Sequence, residues 1–301
     1  MAWAEKTWLA RKSQWNHYHT FCSEYDITPL PCTVDTVCWY IAYMCRKFKY
    51  SSITSYVCGL VQLQKLHGLP PVSTSDFMVA RTLRGARRKL GDTPSQSFPL
   101  APSHLMLMYK CLDISKSSHL CWWAATITAF RGLLRKAHIT VSDQAICVGD
   151  LDFRSWGLLL TLPKTKTIQY GERILEIPFT QVPGSIFCVS QFVHQLVIRM
   201  KLSETDNVFQ YYQGGVKKPM SYHWYTTKLK ELSTRIGLAG KVTSHSLRRG
   251  GATYLNSLGV TLVDIKQRGD WRSLAVLLYL SDSLETKVSK DKVVSAFMRF
   301  V

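Results

Sequence analysis

A chain of 301 residues is long enough for two domains or one large one, and its 46% hydrophobic residues supply a core. The 38 Lys and Arg against 20 Asp and Glu leave a net charge of +18, which calls for a polyanionic partner, nucleic acid first and anionic membrane second. No apolar run reaches the about 18 residues of a membrane span, and Met1 to Thr20 is mixed and charged, so neither a transmembrane helix nor a secretory signal is expected. The nine cysteines are odd in number, scattered and without a C-x-x-C pair. That pattern predicts buried free thiols in a reducing compartment, cytosol or nucleus, rather than disulfides or a metal site.

Residues 1–91 read as a bundle of four helices. Trp3 to Tyr25 alternates aromatic and basic residues at helical spacing. Thr33 is an N-cap candidate for VDTVCWYIAYMCRKF, whose apolar positions run around much of the helix and predict burial. Ser51 or Ser52 is the cap expected for ITSYVCGLVQLQKLH, which Gly68 and Pro70-Pro71 stop. The fourth helix, DFMVARTLRGARRKLG, carries Arg81, Arg84 and Arg88 at helical spacing with Arg87 and Lys89 beside them. No acidic residue relieves that repulsion before Leu90, so these five side chains are candidate contacts to a phosphate backbone, which position a protein rather than read sequence.

Residues 92–103 lie in the Pro-, Ser- and Gly-rich stretch GDTPSQSFPLAPS and are expected to be a linker. The second domain, 104–301, opens on a short helix and a strongly apolar one, SSHLCWWAATITAFRGLLRKAHI. Three apolar runs of strand length follow, AICVGDLDF, GLLLTLPKTKT and RILEIPF, with a polar tip around Pro163 to Gly171. They predict a small antiparallel sheet with a hairpin. From Phe187 onward the pattern is helical again, closing on an amphipathic segment with Val293, Val294, Phe297, Met298 and Val301 on its apolar side. The fold class expected is mainly α with a small antiparallel β-sheet.

The chemistry concentrates in TSHSLRRGGATYLNSLGVTLVDIKQRGDWRSLAVLLYLS, Thr243 to Ser281. His245 stands at the start of a helix that runs to Leu258, where free N–H groups and the helix dipole favour an anion. Arg248, one turn on, adds a guanidinium fork suited to phosphate. Trp271 follows a Gly-Asp turn, and Tyr279 offers a hydroxyl able to attack phosphorus. Upstream, Arg135 sits among apolar residues in LLRKAHI, and Lys164 and Lys166 stand on the hairpin tip.

Taken in order, Arg135, Lys166, His245, Arg248, Trp271 and Tyr279 resemble the catalytic set of the tyrosine recombinases, the phage integrase family. LLRKAHI is similar to that family's first arginine box and PKTKT to its lysine-bearing hairpin. TSHSLRRGGAT resembles its second box, GDW its His/Trp position, and LLYL its nucleophile. The resemblance covers essentially the whole chain. It implies an all-helical N-terminal core-binding (SAM-like) domain joined to an α+β catalytic domain. The aromatic, Cys-rich N-terminal region and the Trp at 271 are similar to eukaryotic mobile-element members, of Crypton, DIRS-like or Ngaro type.

What the resemblance implies is cleavage and rejoining of double-stranded DNA through a 3′-phosphotyrosyl intermediate, with no metal, cofactor or ATP. It also implies a homo-oligomer, dimeric on a site and tetrameric in synapsis, acting in the nucleus. Arg135 and Arg248 hold the phosphate oxygens, His245 accepts a proton, Lys166 gives one to the leaving oxygen, and Tyr279 attacks. One position departs from the pattern. His138 stands three residues after Arg135, where the family usually has an acidic side chain, so an altered pH dependence is expected. Three rival readings stand beside this one: a type IB topoisomerase, a domesticated noncatalytic DNA-binding protein, and a Cys/His hydrolase. The last has no Cys in a pKa-lowering helix-start setting.

Overall fold

The computed structural model describes residues 5–93, 96–168 and 170–280, with Val288, Asp291, Lys292 and Ser295. The amphipathic segment expected around Val293 to Val301 lies outside the described residues. The chain divides into two compact units, Met1–Ser95 and Gln96–Val301.

The first unit is formed by α1 (Glu5–Glu24), α2 (Val34–Met44), α3 (Tyr50–Leu66) and α4 (Phe77–Leu90). The Thr33 side chain accepts the Thr36 N–H and starts α2, as the sequence predicts. The helix stops at Met44 rather than running to Phe48, and its burial is one-sided, since Trp39 stays 58% exposed. Helix α3 begins at Tyr50, two or three residues earlier than a cap at Ser51 or Ser52 would place it, and Lys49 gives no side-chain cap. Tyr18, Phe21 and Tyr40 pack edge-on and tilted at the centre of this unit, in one core with Ile41, Met44, Ile53 and Val57. Asp76 caps α4, which turns Val79, Leu83, Ala86 and Leu90 inward. Arg81, Arg84, Arg87, Arg88 and Lys89 therefore lie exposed. Arg87 meets Asp92 at 2.9 Å, so an acid just beyond the helix relieves one of the five.

The second unit is built around α6 (Ser117–Arg131), apolar on every side and buried from Leu120 to Phe130. Its two indoles find acceptors in the core, Trp122 on the Tyr225 carbonyl and Trp123 on the Ile186 carbonyl. Helix α5 (Pro102–Lys110) precedes it. The same core takes in a three-stranded antiparallel sheet in the order β1 (Leu151–Arg154), β2 (Gly157–Leu162), β3 (Leu175–Thr180). Leu175, Ile177 and Phe179 point in from β3 and Glu176, Pro178 and Thr180 point out, the alternation of a half-buried strand.

Helices α8 (Val189–Met200), α9 (Tyr222–Arg235), α10 (Ser244–Ser257) and α11 (Leu262–Arg268) complete the unit. A second hairpin, β4 (Gln210–Gln213) with β5 (Val216–Pro219), interrupts the stretch expected to be helical throughout. Its turn is Gly214-Gly215, both at positive φ, which is the turn chemistry a two-residue hairpin requires.

The apolar helix expected to run to Ile139 is also broken. Helix α6 ends at Arg131, Gly132 donates to Thr128, and Leu133 takes a left-handed φ of 52° while Leu134 donates back to Ala129. This is a left-handed helix stop in which a leucine replaces the usual glycine. Its side chain is held in a small core with Ala252, Ile265, Trp271 and Val276. A four-residue helix, α7 (Lys136–Ile139), restarts just after Arg135.

Helix α10 approaches two backbones closely. Ser97 to Leu100 runs beside its start: Phe98 donates to the Lys241 carbonyl and Leu100 to that of Ser246. A Cβ on Gly250 would stand 1.8 Å from the Leu100 carbonyl oxygen, and one on Gly251 2.2 Å from that of Phe130. Both obstacles are main chain and cannot rotate away. Gly250→Ala is therefore expected to lower stability by roughly 1–3 kcal/mol through overpacking, read as a shift in the urea midpoint at unchanged slope.

Candidate active site

Four segments of the second unit converge around the small core that α10 helps to form. Thr243 caps α10 and forms a reciprocal capping box with Ser246, which fixes the start of the helix and with it His245 and Arg248. Arg248 is 2% exposed. One end of its fork donates to the Leu133 carbonyl and the other to the Gly269 carbonyl, tying the turn after α6 to the turn after α11. Its guanidinium lies 3.7 Å from the centre of the Trp271 ring and 5.8 Å from that of Tyr279. Trp271 and Tyr279 meet edge to face at 5.2 Å.

Tyr279 ends a 3-10 turn, Leu274–Leu278, and is half-buried. Its carbonyl accepts from the Thr253 hydroxyl of α10, so the nucleophile candidate is fastened to the helix that carries His245 and Arg248. Burial lowers the Arg248 pKa, with repulsion from Arg135 adding to it and Tyr279 and Asp270 opposing it. A guanidinium keeps its charge through such shifts, so the site holds a fixed, partly desolvated cation.

Arg135 leaves the chain just before α7 and reaches Asp270, by Nη1 to the carboxylate at 3.4 Å and by Nη2 to the carbonyl at 3.3 Å. His245 is accessible. Partial burial and then the charges of Arg248, Lys136, Arg135 and Lys166 lower its pKa. At neutral pH its imidazole is therefore unprotonated and able to accept a proton. Lys166 is exposed on the connection between β2 and β3, within electrostatic reach of His245. Lys164 is exposed on the same connection. The structure thus brings Arg135, Lys166, His245, Arg248, Trp271 and Tyr279 into one neighbourhood. The five basic residues of α4 belong to the first unit and are exposed there.

Sequence reasoning missed Asp270, the acid within GDW. It is 3% exposed, at a left-handed φ of 54°, and receives Thr165, Thr167, Arg173 and Arg135. Hydrogen bonds from those hydroxyls, and then the two arginines, hold its pKa below the ordinary carboxylate value against the effect of burial. His138 is buried nearby, with neither ring nitrogen hydrogen-bonded. Among the described residues, no group of three or more His, Cys, Asp or Glu is arranged to hold a metal ion, and no helix is long and apolar enough to cross a membrane.

No family model matches the sequence. The chain is 24% identical over 266 residues to an integrase/recombinase xerD homologue from Selenomonas ruminantium, covering 83% of this chain and 73% of that protein. Its fold is similar to the Tn1549 transposon integrase, solved in complex with transposon right end DNA, with a TM-score of 0.63 at 14% identity over 97% of this chain and 95% of that one. It is also similar to the XerH site-specific recombinase bound to palindromic difH substrate, with a TM-score of 0.62 at 12% identity over 88% and 70% of the two chains. A lambda integrase dimer bound to a COC′ core site gives 0.58 at 14% identity over 94% and 90%. This mainly α chain with its small antiparallel sheets thus shares the fold of these integrase structures, and its sequence is similar to that of an integrase/recombinase xerD homologue.

Proposed function

We propose that this chain is a site-specific DNA recombinase that cleaves and rejoins strands through a 3′-phosphotyrosyl intermediate. The observation that carries this reading is the meeting of Arg135, His245, Arg248 and Trp271 with Tyr279 around one small core. Arg135 and Arg248 bring two guanidinium charges to this neighbourhood, where they stabilise the charge that grows on the nonbridging oxygens of a phosphodiester as phosphorus becomes five-coordinate. The Tyr279 oxygen attacks phosphorus in line while its proton passes to the unprotonated imidazole of His245. The bond from phosphorus to the 5′ oxygen breaks, and Lys166 supplies the proton that this oxygen needs to leave. The phosphotyrosyl linkage keeps the energy of the bond, so a 5′ hydroxyl from the same or a second duplex reverses the step without ATP. No step calls for a cofactor.

The exposed arginines of α4, with Lys89 and Lys164, serve in this reading as phosphate-backbone contacts, consistent with the net charge of +18. Recombination joins two duplexes, so the working unit is a homo-oligomer, a dimer on each site and a tetramer in synapsis. The lambda integrase to which the chain is similar is a dimer on its core site, which supports the first of these. Integration or excision of a mobile element of the eukaryotic Crypton or DIRS-like type, in the nucleus, is the role that fits the aromatic first unit and Trp271.

Covalent trapping on a pool of randomised nicked duplexes tests the reading. A nick beside the scissile phosphate lets the leaving fragment diffuse away, so the intermediate accumulates. The expected result is a protein–DNA adduct that maps to Tyr279 and is absent from Tyr279→Phe. Tight binding with no adduct from the native protein would make it a noncatalytic DNA-binding protein, and an adduct on another residue would displace Tyr279 as nucleophile.

A further inference from the structure

We infer that Asp270 is a positioning residue that anchors the Lys166 hairpin and Arg135 to one carboxylate, so that both cations are presented together. The inference deepens the proposed recombinase reading and rests on it. Lys166 lies between the two threonines that the carboxylate holds. Thr165 Oγ1 donates to Asp270 Oδ2 at 2.5 Å, and Thr167 donates to the same oxygen. Thr165 is buried, Thr167 half-buried and Lys166 exposed, within a turn that the Thr165 N–H closes onto the Ile168 carbonyl. Pinning the two neighbours inward fixes the side from which Lys166 projects.

The other arm of the hairpin tip is tied to the same group, because Arg173 pairs with Asp270 Oδ1. The Thr165 hydroxyl also accepts the N–H groups of Thr167 and Ile168, so the tip is folded around the atom that meets Asp270. Arg135 completes the arrangement with one bond to the carboxylate and one to the Asp270 carbonyl. The carboxylate is itself held firmly in place. Asp270 is 3% exposed, adopts the left-handed conformation that Asp and Asn tolerate, and sits between Gly269, whose carbonyl binds Arg248, and Trp271. One short turn therefore contacts both arginines and the segment bearing Lys166.

Asp270→Asn keeps the backbone preference and an acceptor oxygen while removing the charge. Thr167→Val removes one tether and leaves the pairing with Arg135. Cleavage of an ordinary nicked duplex is expected to slow by about 10- to 100-fold in either variant, a loss within the range of general-acid contributions, with DNA affinity nearly unchanged. A substrate with sulfur in place of the 5′ bridging oxygen expels a thiolate, which needs no proton. On it Thr167→Val is expected to recover nearly to the native rate, and Asp270→Asn only in part, because Arg135 has also lost its partner. Amide exchange of residues 163–174 is expected to accelerate in both variants, in free protein and without reference to activity.

Native rates in Asp270→Asn would overturn the inference, as would equal deficits on the oxygen and sulfur substrates, or hairpin exchange unchanged from the native protein. If the native protein forms no adduct at all, the recombinase reading fails. The exchange measurement then still decides whether Asp270 anchors the hairpin.

Discussion

Arg248→Ala is expected to abolish strand cleavage and to cost about 2–5 kcal/mol of stability, the scale of two buried acceptors left without a donor and a cavity beside them. The stability loss follows from where the fork goes. Arg248 is 2% exposed and donates to two carbonyls, Leu133 and Gly269, that belong to different turns. Truncation leaves both acceptors buried without a donor and opens a cavity against Trp271, whose ring the guanidinium covers at 3.7 Å. The loss of cleavage follows from the same geometry, because the two turns it joins carry Arg135 and Trp271. Arg248→Lys separates the two effects. An ammonium keeps the charge but cannot span both carbonyls, and it stacks on the indole less well. It is expected to recover part of the stability while cleavage stays at least about a hundredfold below native, as when a charge-stabilising donor is lost. Urea unfolding followed by circular dichroism, beside adduct formation on a nicked duplex, reads both. A midpoint for Arg248→Ala within about 1 kcal/mol of native would mean that the buried fork is not what joins the turns.

The parts that sequence made legible are those set by local patterns. The His-x-x-Arg spacing at a capped helix start places His245 and Arg248 one turn apart whatever surrounds them. Thr33 starts its helix through its own side chain, as its place before an apolar run predicted. What was not legible depends on partners far away in sequence. Asp270 reads as part of a turn, because nothing near it reveals that Thr165, Thr167, Arg173 and Arg135 will reach it. The break before Arg135 was hidden in the same way. Leu133 in a left-handed conformation is locally unfavourable, and only the small core formed with Ala252, Ile265 and Trp271 holds it there. The hairpin of β4 and β5 differs from these. Gly214-Gly215 between QYYQ and VKKP was a signal available in the sequence, and the helical pattern on either side obscured it.

His138 carries the second large effect, a loss of stability on acidification that sets in at higher pH than a carboxylate at this position would give. The residue is 2% exposed, with both ring nitrogens unpaired. Burial, and then repulsion from Arg135 and Arg248, lower its pKa to about 4 against a weaker opposing pull from Asp270. In the unfolded chain the same imidazole takes up a proton near pH 6.5. Between those two values the unfolded state binds the proton and the native state does not, so acidification favours unfolding. Stability is therefore expected to be full above about pH 6.5 and to fall progressively down to about pH 4. The total loss attributable to this one group is roughly 3 kcal/mol. A glutamate or aspartate paired to Arg135 from this position would instead keep its contribution until its own lower pKa was reached. His138→Gln, similar in size but without a proton to gain, is expected to flatten the profile between about pH 6.5 and about pH 4 relative to native. Urea unfolding of the two proteins across that range measures the difference, in which the other titrating groups cancel. Parallel profiles would show that His138 takes up its proton as readily in the native state as in the unfolded chain, and would overturn this account.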